Sequence, residues 1–213
     1  MRKIDMISTF DDIVKKILSE TPVDEIEALW KFYGDHGYTL PGFAKYFQPE
    51  KQIRQKLEWV FNFGLSTSQP LIVLDIGTGA GWLPYTLKYF GHDVHLADAP
   101  TSKKYNLCIK LLGMEKEFCL RVSKQESILD VIGFQKYDLI SATGICFHRD
   151  WIPGDWRFFI DDCFRAIVDG GRLLLRINNE GQRVGYESFL QYLKLADFKP
   201  ERFDAITWML YKP

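Results

Sequence analysis

From about residue 70 onward, short runs of apolar and β-branched residues alternate with longer stretches whose apolar positions recur at helical spacing. This alternation is typical of βαβ units, which form a parallel sheet with helices on its faces. Several of the runs are apolar at successive positions, as expected for strands that are buried on both sides. The pattern predicts five such strands, at residues 71–76, 93–97, 118–122, 137–142 and 172–177.

The stretches between these strands predict helices, and the last part of the chain predicts a hairpin. The helix before the fifth strand is expected to end at Gly170-Gly171, because glycine commonly follows a helix C-terminus. Two β-like runs at about 199–203 and 205–211 leave no room for a parallel crossover, so they should pair antiparallel. The prediction is a seven-stranded sheet, in which five parallel strands are followed by the two strands of the hairpin, with one reversed strand at the edge of the sheet. The predicted helices cover residues 82–90, 102–112, 156–169 and 186–196.

The first 70 residues show a different pattern, which is helical except for an aromatic stretch broken by glycine and proline. Helices are predicted at 8–20, 23–33 and about 50–63, and ten aromatic residues fall between Trp30 and Phe63. Aromatic side chains contribute large buried areas, so packing of the helical layer is the simpler interpretation; capping of a pocket is the alternative. The predicted organisation is a helical cap on the substrate side at residues 1–69 and a sheet domain at residues 70–213.

The composition is that of an ordinary soluble globular protein, with 213 residues, 46% hydrophobic and 26% charged. The 27 basic and 28 acidic residues give a net charge of -1 and no broad field for nucleic acid or an anionic membrane. The first 20 residues lack the apolar centre of a signal peptide, and no stretch reaches the ~20 apolar residues of a membrane helix. Four cysteines without a C-x-x-C pair favour reduced thiols. We therefore expect a cytoplasmic protein without a metal site, since His92 and His95 have no carboxylate cluster nearby.

A glycine-rich turn follows the first predicted strand, in the sequence from Val73 to Trp82. Glycines let the backbone adopt positive φ and let a ligand approach the main chain, and the next helix presents free N–H groups. The spacing is D-x-G-x-G-x-G, whereas a nicotinamide-type loop would have glycine in place of Trp82. Asp75 at the strand end suits a ligand with a positively charged amine and would repel a pyrophosphate. Pro84 requires that the helix begin at about residues 81–83.

A second acidic residue, Asp98, ends the next strand, 21 residues after Gly77. A carboxylate at this place can accept hydrogen bonds from both hydroxyls of a ribose at the carboxyl end of a parallel sheet. The alternative is a turn or helix N-cap, which the residues from Ala99 to Ser102 would suit. Because the glycine loop lies at the right distance, ribose binding is the better explanation, and the sequence favours a nucleoside cofactor.

This combination of motifs resembles the class I S-adenosylmethionine-dependent methyltransferases. Four features match: the acidic residue and three glycines of the first motif, the acidic residue after the second strand, the aromatic-Asp-hydrophobic run of the fourth strand, and the Gly-Gly pair before the fifth. The reversed terminal strand agrees as well, and the resemblance covers residues 70 to 213. The matching residues are Asp75, Gly77, Gly79, Gly81, Asp98, Tyr137 to Ile140 and Gly170-Gly171.

The resemblance implies a doubly wound, mostly parallel, Rossmann-like sheet with an antiparallel terminal strand, S-adenosylmethionine as cofactor, and methyl transfer as the reaction. The adenine contact is left open, because Ser123, Gln125 and Glu126 after the third strand offer no clear match. The residues predicted to bind the cofactor are Asp75, Gly77, Thr78, Gly79, Gly81, Asp98, Ala99 and Thr143.

Methyl transfer is a direct displacement, so the enzyme mainly has to hold the reactants in line and exclude water. A general base is needed only for an acceptor that is protonated at neutral pH. His148, after the fourth strand, is the candidate base, with Asp150 or another carboxylate to orient it; a structural role is the alternative. Trp151 and Asn178 are candidates for contact with the acceptor, and loop capping is the alternative for Asn178 and its neighbour Asn179.

The leading hypothesis is an S-adenosylmethionine-dependent methyltransferase that acts on a small-molecule or glycan-like acceptor. Residues 142–145 lack the Asn/Asp-Pro-Pro-aromatic motif of amino-methylating nucleic-acid enzymes, which together with the charge balance disfavours a nucleic-acid acceptor. One alternative is a non-catalytic protein that binds the cofactor or a partner with the same fold, because no unmistakable catalytic residue is present. The other is a nicotinamide-dependent oxidoreductase, which Trp82 and Asp75 disfavour.

Overall fold

A computed structural model describes residues 9–35, 46–100, 103–145, 148–177, 183–196 and 200–212. The helices are α1 (Phe10–Ser19), α2 (Val23–Asp35), α3 (Pro49–Asn62), α4 (Trp82–Tyr89), α5 (Lys103–Leu111), α6 (Leu129–Ile132), α7 (Pro153–Ala166) and α8 (Arg183–Leu195). The strands are β1 (Ile72–Ile76), β2 (Asp93–Asp98), β3 (Phe118–Cys119), β4 (Tyr137–Ile145), β5 (Ile167–Ile177), β6 (Glu201–Arg202) and β7 (Thr207–Tyr211).

The strands form one sheet in the order β3-β2-β1-β4-β5-β7-β6. The pairs β2–β3, β1–β4 and β4–β5 are parallel, and β7 runs antiparallel to both β5 and β6. The direction in which the chain adds strands reverses between β1 and β4, which defines a doubly wound sheet. The predicted seven-stranded, mostly parallel sheet with an antiparallel terminal hairpin is confirmed.

The reversed strand does not lie at the edge of the sheet, so that part of the prediction is wrong. The five-residue β7 lies between β5 and β6, and the two-residue β6 forms the edge. Four of the five β7 residues are buried, whereas both β6 residues are exposed. β7 therefore takes the inner position, because it has more apolar surface to bury than β6.

Gly170 and Gly171 lie within β5 and do not end α7, contrary to the prediction. Helix α7 ends at Ala166 because Ile167 is extended (φ -86°, ψ 141°) and pairs with Tyr137. The register then shifts, since the next pair is Leu139 with Arg172. A Cβ at Gly171 would lie 2.9 Å from the Asp138 carbonyl oxygen, so glycine permits this irregular part of the strand.

The chain divides into two compact units. The first comprises residues 1–70, 79–93 and 101–116 and contains helices α1 to α5; the second comprises residues 71–78, 94–100 and 117–213 and contains the sheet with α6 to α8. Each unit is discontinuous in sequence because the chain passes repeatedly from strand to helix. The functional division at residues 69 and 70 remains a prediction.

The core of the second unit is one face of the sheet packed against α7 and α8. Leu74 and Ile140 of the central strands belong to the same buried cluster as Trp156 of α7 and Phe189 of α8. The rings of Trp156 and Phe189 have centroids 4.9 Å apart. This aromatic packing fixes the two helices against the sheet.

In the first unit, several of the sequence's aromatic residues pack on one another. Trp30 stacks on Phe47 with ring centroids 5.9 Å apart, and Phe47 stacks on Tyr105 at 6.5 Å. The Trp82 indole donates a hydrogen bond to the Tyr46 carbonyl oxygen at 2.7 Å. These residues therefore pack on one another within the first unit. Among the described residues, no helix has the length and apolar character needed to cross a membrane.

Candidate functional site

The glycine loop begins where β1 ends, and hydrogen bonds tie its first residues to two strands. Gly77, with φ 77°, donates its N–H to the Ala97 carbonyl oxygen of β2 at 2.8 Å. Thr78 donates its hydroxyl to the Asp75 carbonyl oxygen of β1 at 2.9 Å. Gly77 is itself exposed. Gly77 is therefore a fixed, solvent-accessible point of the backbone at the carboxyl ends of β1 and β2, whereas Thr78 is buried.

The loop continues in the first unit and ends at the N-terminus of α4. Gly79 has φ 57° and Gly81 has φ 87°, so both occupy conformations that other residues rarely adopt. Gly81 is the N-cap of α4, which confirms the predicted helix start. A Cβ at Gly81 would lie 3.0 Å from Met114 Cε and 3.2 Å from Ile109 Cγ1. Glycine is thus needed at this position for both φ and packing.

Asp75 lies inside the sheet rather than on its surface. Its side chain is 2% exposed, and its Oδ1 accepts a hydrogen bond from the Ser141 hydroxyl at 2.5 Å. Ser141 is the register partner of Asp75 on β4 and is also buried. A buried carboxylate requires hydrogen-bond donors, which explains a serine within the apolar β4. Asp75 exposes too little surface for a broad contact with a ligand amine, and its role in ligand binding stays a prediction.

Asp98 and Ala99 follow the loop residues at the same edge of the sheet. Asp98 is the last residue of β2, is half-buried, and pairs in register with Cys119 of β3. Its carbonyl oxygen accepts a hydrogen bond from the Leu120 N–H at 3.0 Å. Ala99 is also half-buried. The backbone at Asp98 is therefore held between β2 and β3 while its side chain keeps access to solvent.

Strand β4 extends beyond the end of β1 and supplies the remaining predicted cofactor residue. The last pair between these strands is Ile76 with Ala142, so Thr143 and Gly144 lie past the end of β1. Thr143 is half-buried, and a Cβ added at Gly144 (φ 73°) would have no described neighbour within 4 Å. No described residue therefore fills the space immediately beside Gly144.

The second unit therefore brings five of the predicted residues to one edge of the sheet. They come from the carboxyl ends of three adjacent strands, β2, β1 and β4. Ligands of open α/β sheets bind at this edge, next to the point where strand order reverses. The five residues are Gly77, Thr78, Asp98, Ala99 and Thr143.

A solved structure of similar fold supports this topology. The chain is similar to a TehB-like SAM-dependent methyltransferase from Corynebacterium glutamicum, with 14% identity, a TM-score of 0.51, and coverage of 89% of this chain and 95% of that chain. The chain has the fold of the S-adenosylmethionine-dependent methyltransferases. A methyltransferase from Pyrococcus furiosus has 13% identity and a TM-score of 0.47, over 74% of this chain and 82% of that one. No family model matches the chain, and no curated protein matches it.

Within this methyltransferase fold, the candidate base His148 is a buried residue. Its side chain is 0% exposed, and its ring centroid lies 5.4 Å from that of Trp156. Asp150, the suggested orienting partner, is exposed and forms an ion pair with Lys124 at 2.9 Å, which lowers the pKa of Asp150. In the described conformation His148 presents no surface to an acceptor. A role as general base therefore requires that the turn containing it move.

Of the candidate acceptor residues, the structure describes Trp151, which lies in the core. Trp151 is 2% exposed and belongs to the core, with its ring centroid 4.9 Å from that of Trp156. Asn178 and Asn179 lie outside the described residues. The Ser123 hydroxyl oxygen accepts hydrogen bonds from the backbone N–H groups of Gln125 and Glu126, so it serves a turn.

The described cysteines and histidines do not form a metal site. No group of three metal-ligating side chains occurs in the described part of the chain. Burial raises the pKa of the Cys108 thiol to about 12, and burial also raises the pKa of Cys163. These two thiols are therefore protonated at neutral pH and act as apolar core groups.

Sequence reasoning missed several polar residues that line one face of the sheet. Ser141 supports Asp75, and Arg176 of β5 forms hydrogen bonds with Asp204 and Thr207 at 3.0 Å and 2.9 Å. The signal was present, because Ser141 and Arg176 are polar residues next to apolar runs in their strands. Their partners could not be identified before the register of β4, β5 and β7 was known.

Proposed function

We propose that the chain is an S-adenosylmethionine-dependent methyltransferase whose acceptor is a small molecule or a glycan-like metabolite. The observation that carries the proposal is the exposed loop start at Gly77, fixed to β1 and β2 beside the half-buried carboxylate of Asp98. The net charge of -1 supports a small acceptor over a nucleic acid, which would require a basic surface.

The residues at this edge fit the cofactor in three respects. The start of the loop at Gly77 offers exposed backbone that a ligand can approach closely. Asp98 offers a carboxylate for the two ribose hydroxyls, and no described residue lies within 4 Å of a Cβ position at Gly144. Asp75 would act from inside the sheet, since Ser141 holds it beneath the start of the loop.

S-adenosylmethionine supplies a methyl group on a sulfonium sulfur; a lone pair of the acceptor forms the new bond to carbon while the carbon–sulfur bond breaks, leaving a neutral thioether. The contribution of the chain is to position the reactants and exclude water. The rigid loop start at Gly77 and the carboxylate of Asp98 would hold one reactant. Thr143 and the open end of β4 would border the other.

A second candidate function is binding of the cofactor without catalysis. The observation that favours it is the complete burial of His148, the candidate base. Methyl transfer to an acceptor that is already unprotonated needs no base, so a buried His148 is compatible with either function. Detection of labelled product separates the two.

The experiment is calorimetric titration of the full chain with S-adenosylhomocysteine, S-adenosylmethionine and NADH. Asp98→Asn is the test variant, and Asp93→Asn, at the exposed opposite end of the same strand, is its matched control. Hydrogen bonds to a charged group contribute about 1.5–3 kcal/mol, so we expect binding of S-adenosylhomocysteine to weaken roughly ten- to a hundredfold in Asp98→Asn. The control should change it by less than about twofold.

Each outcome has a defined meaning. No binding of either sulfur compound by the wild-type chain refutes the proposal, and tight NADH binding would favour the oxidoreductase alternative. Binding that Asp98→Asn leaves unchanged refutes the ribose role of Asp98. Binding without transfer of a labelled methyl group to any fraction of small-molecule extracts favours the non-catalytic function.

The location and the organisation of the protein belong to the same proposal. A cytoplasmic location agrees with the free thiols of Cys108, Cys119 and Cys163. We further propose that residues 1–69 help to define the acceptor.

A further inference from the structure

A row of polar side chains crosses the sheet two residues beyond Asp75 and Ser141. Ser141 pairs in register with Leu174 of β5, and the next residues on the same face are Thr143 and Arg176, which also pair. Arg176 in turn pairs with Thr207 of β7. Because register partners on neighbouring strands share a face, Arg176 lies on the same face of the sheet as Asp75. β5 is two strands from β1, about 10 Å across the sheet.

The guanidinium of Arg176 is held in a fixed position. Its Nη1 donates to Asp204 Oδ2 at 3.0 Å and to Thr207 Oγ1 at 2.9 Å. Its side chain is 25% exposed, whereas that of Asp204 is 50% exposed. Arginine remains charged at every physiological pH and presents five N–H donors in a planar fork. This row therefore contains a preoriented cation that keeps access to solvent.

The turn between β6 and β7 is anchored by other groups. Asp204 Oδ1 accepts the Ile206 N–H at 2.8 Å, which closes the turn locally. Arg202 donates to the carbonyl oxygens of Asp204 and Ala205 at 2.9 Å and 3.2 Å, and the Tyr186 hydroxyl also donates to Ala205. The turn is therefore fixed by several groups other than Arg176.

We propose that Arg176 binds an oxyanionic group, a carboxylate or a phosphate, of the small methyl acceptor. The proposal rests on the proposed function. A small acceptor beyond the end of β4 would have the start of the glycine loop on one side and Arg176 on the other. A guanidinium binds carboxylate and phosphate through two parallel hydrogen bonds, which fixes the orientation of the bound group as well as its position. Arg176 is then a specificity-determining residue.

The test uses the full chain saturated with S-adenosylhomocysteine and two probes, inorganic phosphate and acetate, at constant ionic strength. The increase in unfolding temperature with probe concentration yields an apparent affinity. Arg176→Gln should weaken the affinity for the preferred probe at least about tenfold. Arg176→Lys should weaken it less, because charge remains but the fork is lost. Arg172→Gln, on the same face at the other end of β5, is the matched control and should have no effect.

Asp204→Asn separates anion binding from a merely structural role. The asparagine oxygen can still accept the Ile206 N–H, and the Thr207 hydroxyl can still accept from Arg176, while removal of the negative charge beside Arg176 should leave anion binding unchanged or strengthen it. If Asp204→Asn and Arg176→Gln lose the same amount of anion affinity, the effect is caused by a disturbed turn rather than by loss of the guanidinium, and the proposal is overturned. The proposal is equally overturned if neither probe stabilises the wild-type chain, or if Arg172→Gln matches Arg176→Gln.

The probes also distinguish the source of the oxyanion. A response to acetate alone indicates a carboxylated acceptor, and a response to phosphate alone indicates a phosphorylated one. Binding of a single-stranded RNA oligonucleotide that depends on Arg176, without a response to either small probe, would refute the small acceptor. Failure of S-adenosylhomocysteine to bind would refute the proposed function itself. If S-adenosylhomocysteine binds but phosphate and acetate raise the unfolding temperature equally in wild type and Arg176→Gln, only the proposal about Arg176 is refuted.

Discussion

Substitution of Gly185 by alanine tests the packing that buries the candidate base. Gly185 lies in the first turn of α8, and a Cβ built there overlaps the carbonyl oxygen of His148 and lies 2.9 Å from its carbonyl carbon. It would also lie 3.0 Å from His148 Cδ2. The obstacle is mostly backbone, which cannot rotate away as a flexible side chain can. Either α8 or the turn at His148 must therefore shift.

The expected cost follows from the extent of that shift. Insertion of a methyl group into a packed site costs about 1–3 kcal/mol, and a clash with backbone belongs at the upper end of this range. Because α8 carries Phe189 and Ser188, which contact Trp156, a displaced α8 also loosens the aromatic core. We expect Gly185→Ala to lower the free energy of unfolding by about 3 kcal/mol. For a chain of this length, that loss lowers the unfolding temperature by about 6–12 °C.

The measurement is urea unfolding of wild type and variant, followed by fluorescence, with the slope of the transition compared as well as its midpoint. Gly154→Ala is the matched control, because Gly154 also lies in a helix but has no atom of the described residues within 4 Å of its Cβ position. Alanine is the better helix former, so this variant should be as stable as wild type or up to about 1 kcal/mol more stable. A Gly185→Ala variant within about 0.5 kcal/mol of wild type would refute the described contact between α8 and His148.

Two further predictions concern the polar groups of the sheet. Ser141→Ala removes the donor to the buried carboxylate of Asp75, so we expect the free energy of unfolding in urea to fall by about 2 kcal/mol and the binding of S-adenosylhomocysteine to weaken. Ser19→Ala, on the exposed end of α1, is the control. Equal effects of the two substitutions would contradict the role assigned to Ser141. Although burial opposes the shift, the hydrogen bonds from the Ile206 N–H and the Thr207 hydroxyl and the charge of Arg176 hold the pKa of Asp204 below its ordinary value of 3.8. A carboxyl group whose pKa is lowered in the folded state stabilises the fold at pH values above its ordinary pKa, and this contribution is lost as the pH falls through the pKa of the folded state. The difference in free energy of unfolding between wild type and Asp204→Asn should therefore shrink below pH 3.8. A difference that is independent of pH would contradict this prediction.

Local sequence predicted the elements well where periodicity and glycine chemistry decide structure. The apolar runs predicted β1 and β2 within one residue at each end, and Pro84 predicted the start of α4. Both signals act over a few residues, since apolar periodicity and the fixed φ of proline do not depend on distant contacts. The same local reasoning failed at Gly170-Gly171, because the glycines serve a register shift in β5 rather than the end of a helix.

The sequence by itself determined the order of strands and helices along the chain, the glycine loop after β1 and the carboxylate that ends β2. Each of these features depends on neighbouring residues. Only the tertiary structure decided that Asp75 is an internal acceptor for Ser141, that His148 is buried beside Trp156, and that Arg176 is held by Asp204. These contacts join residues far apart in the chain. Which residues become partners depends on strand register and helix packing. Both are selected by the free energy of the whole core, and no short segment of the sequence encodes them.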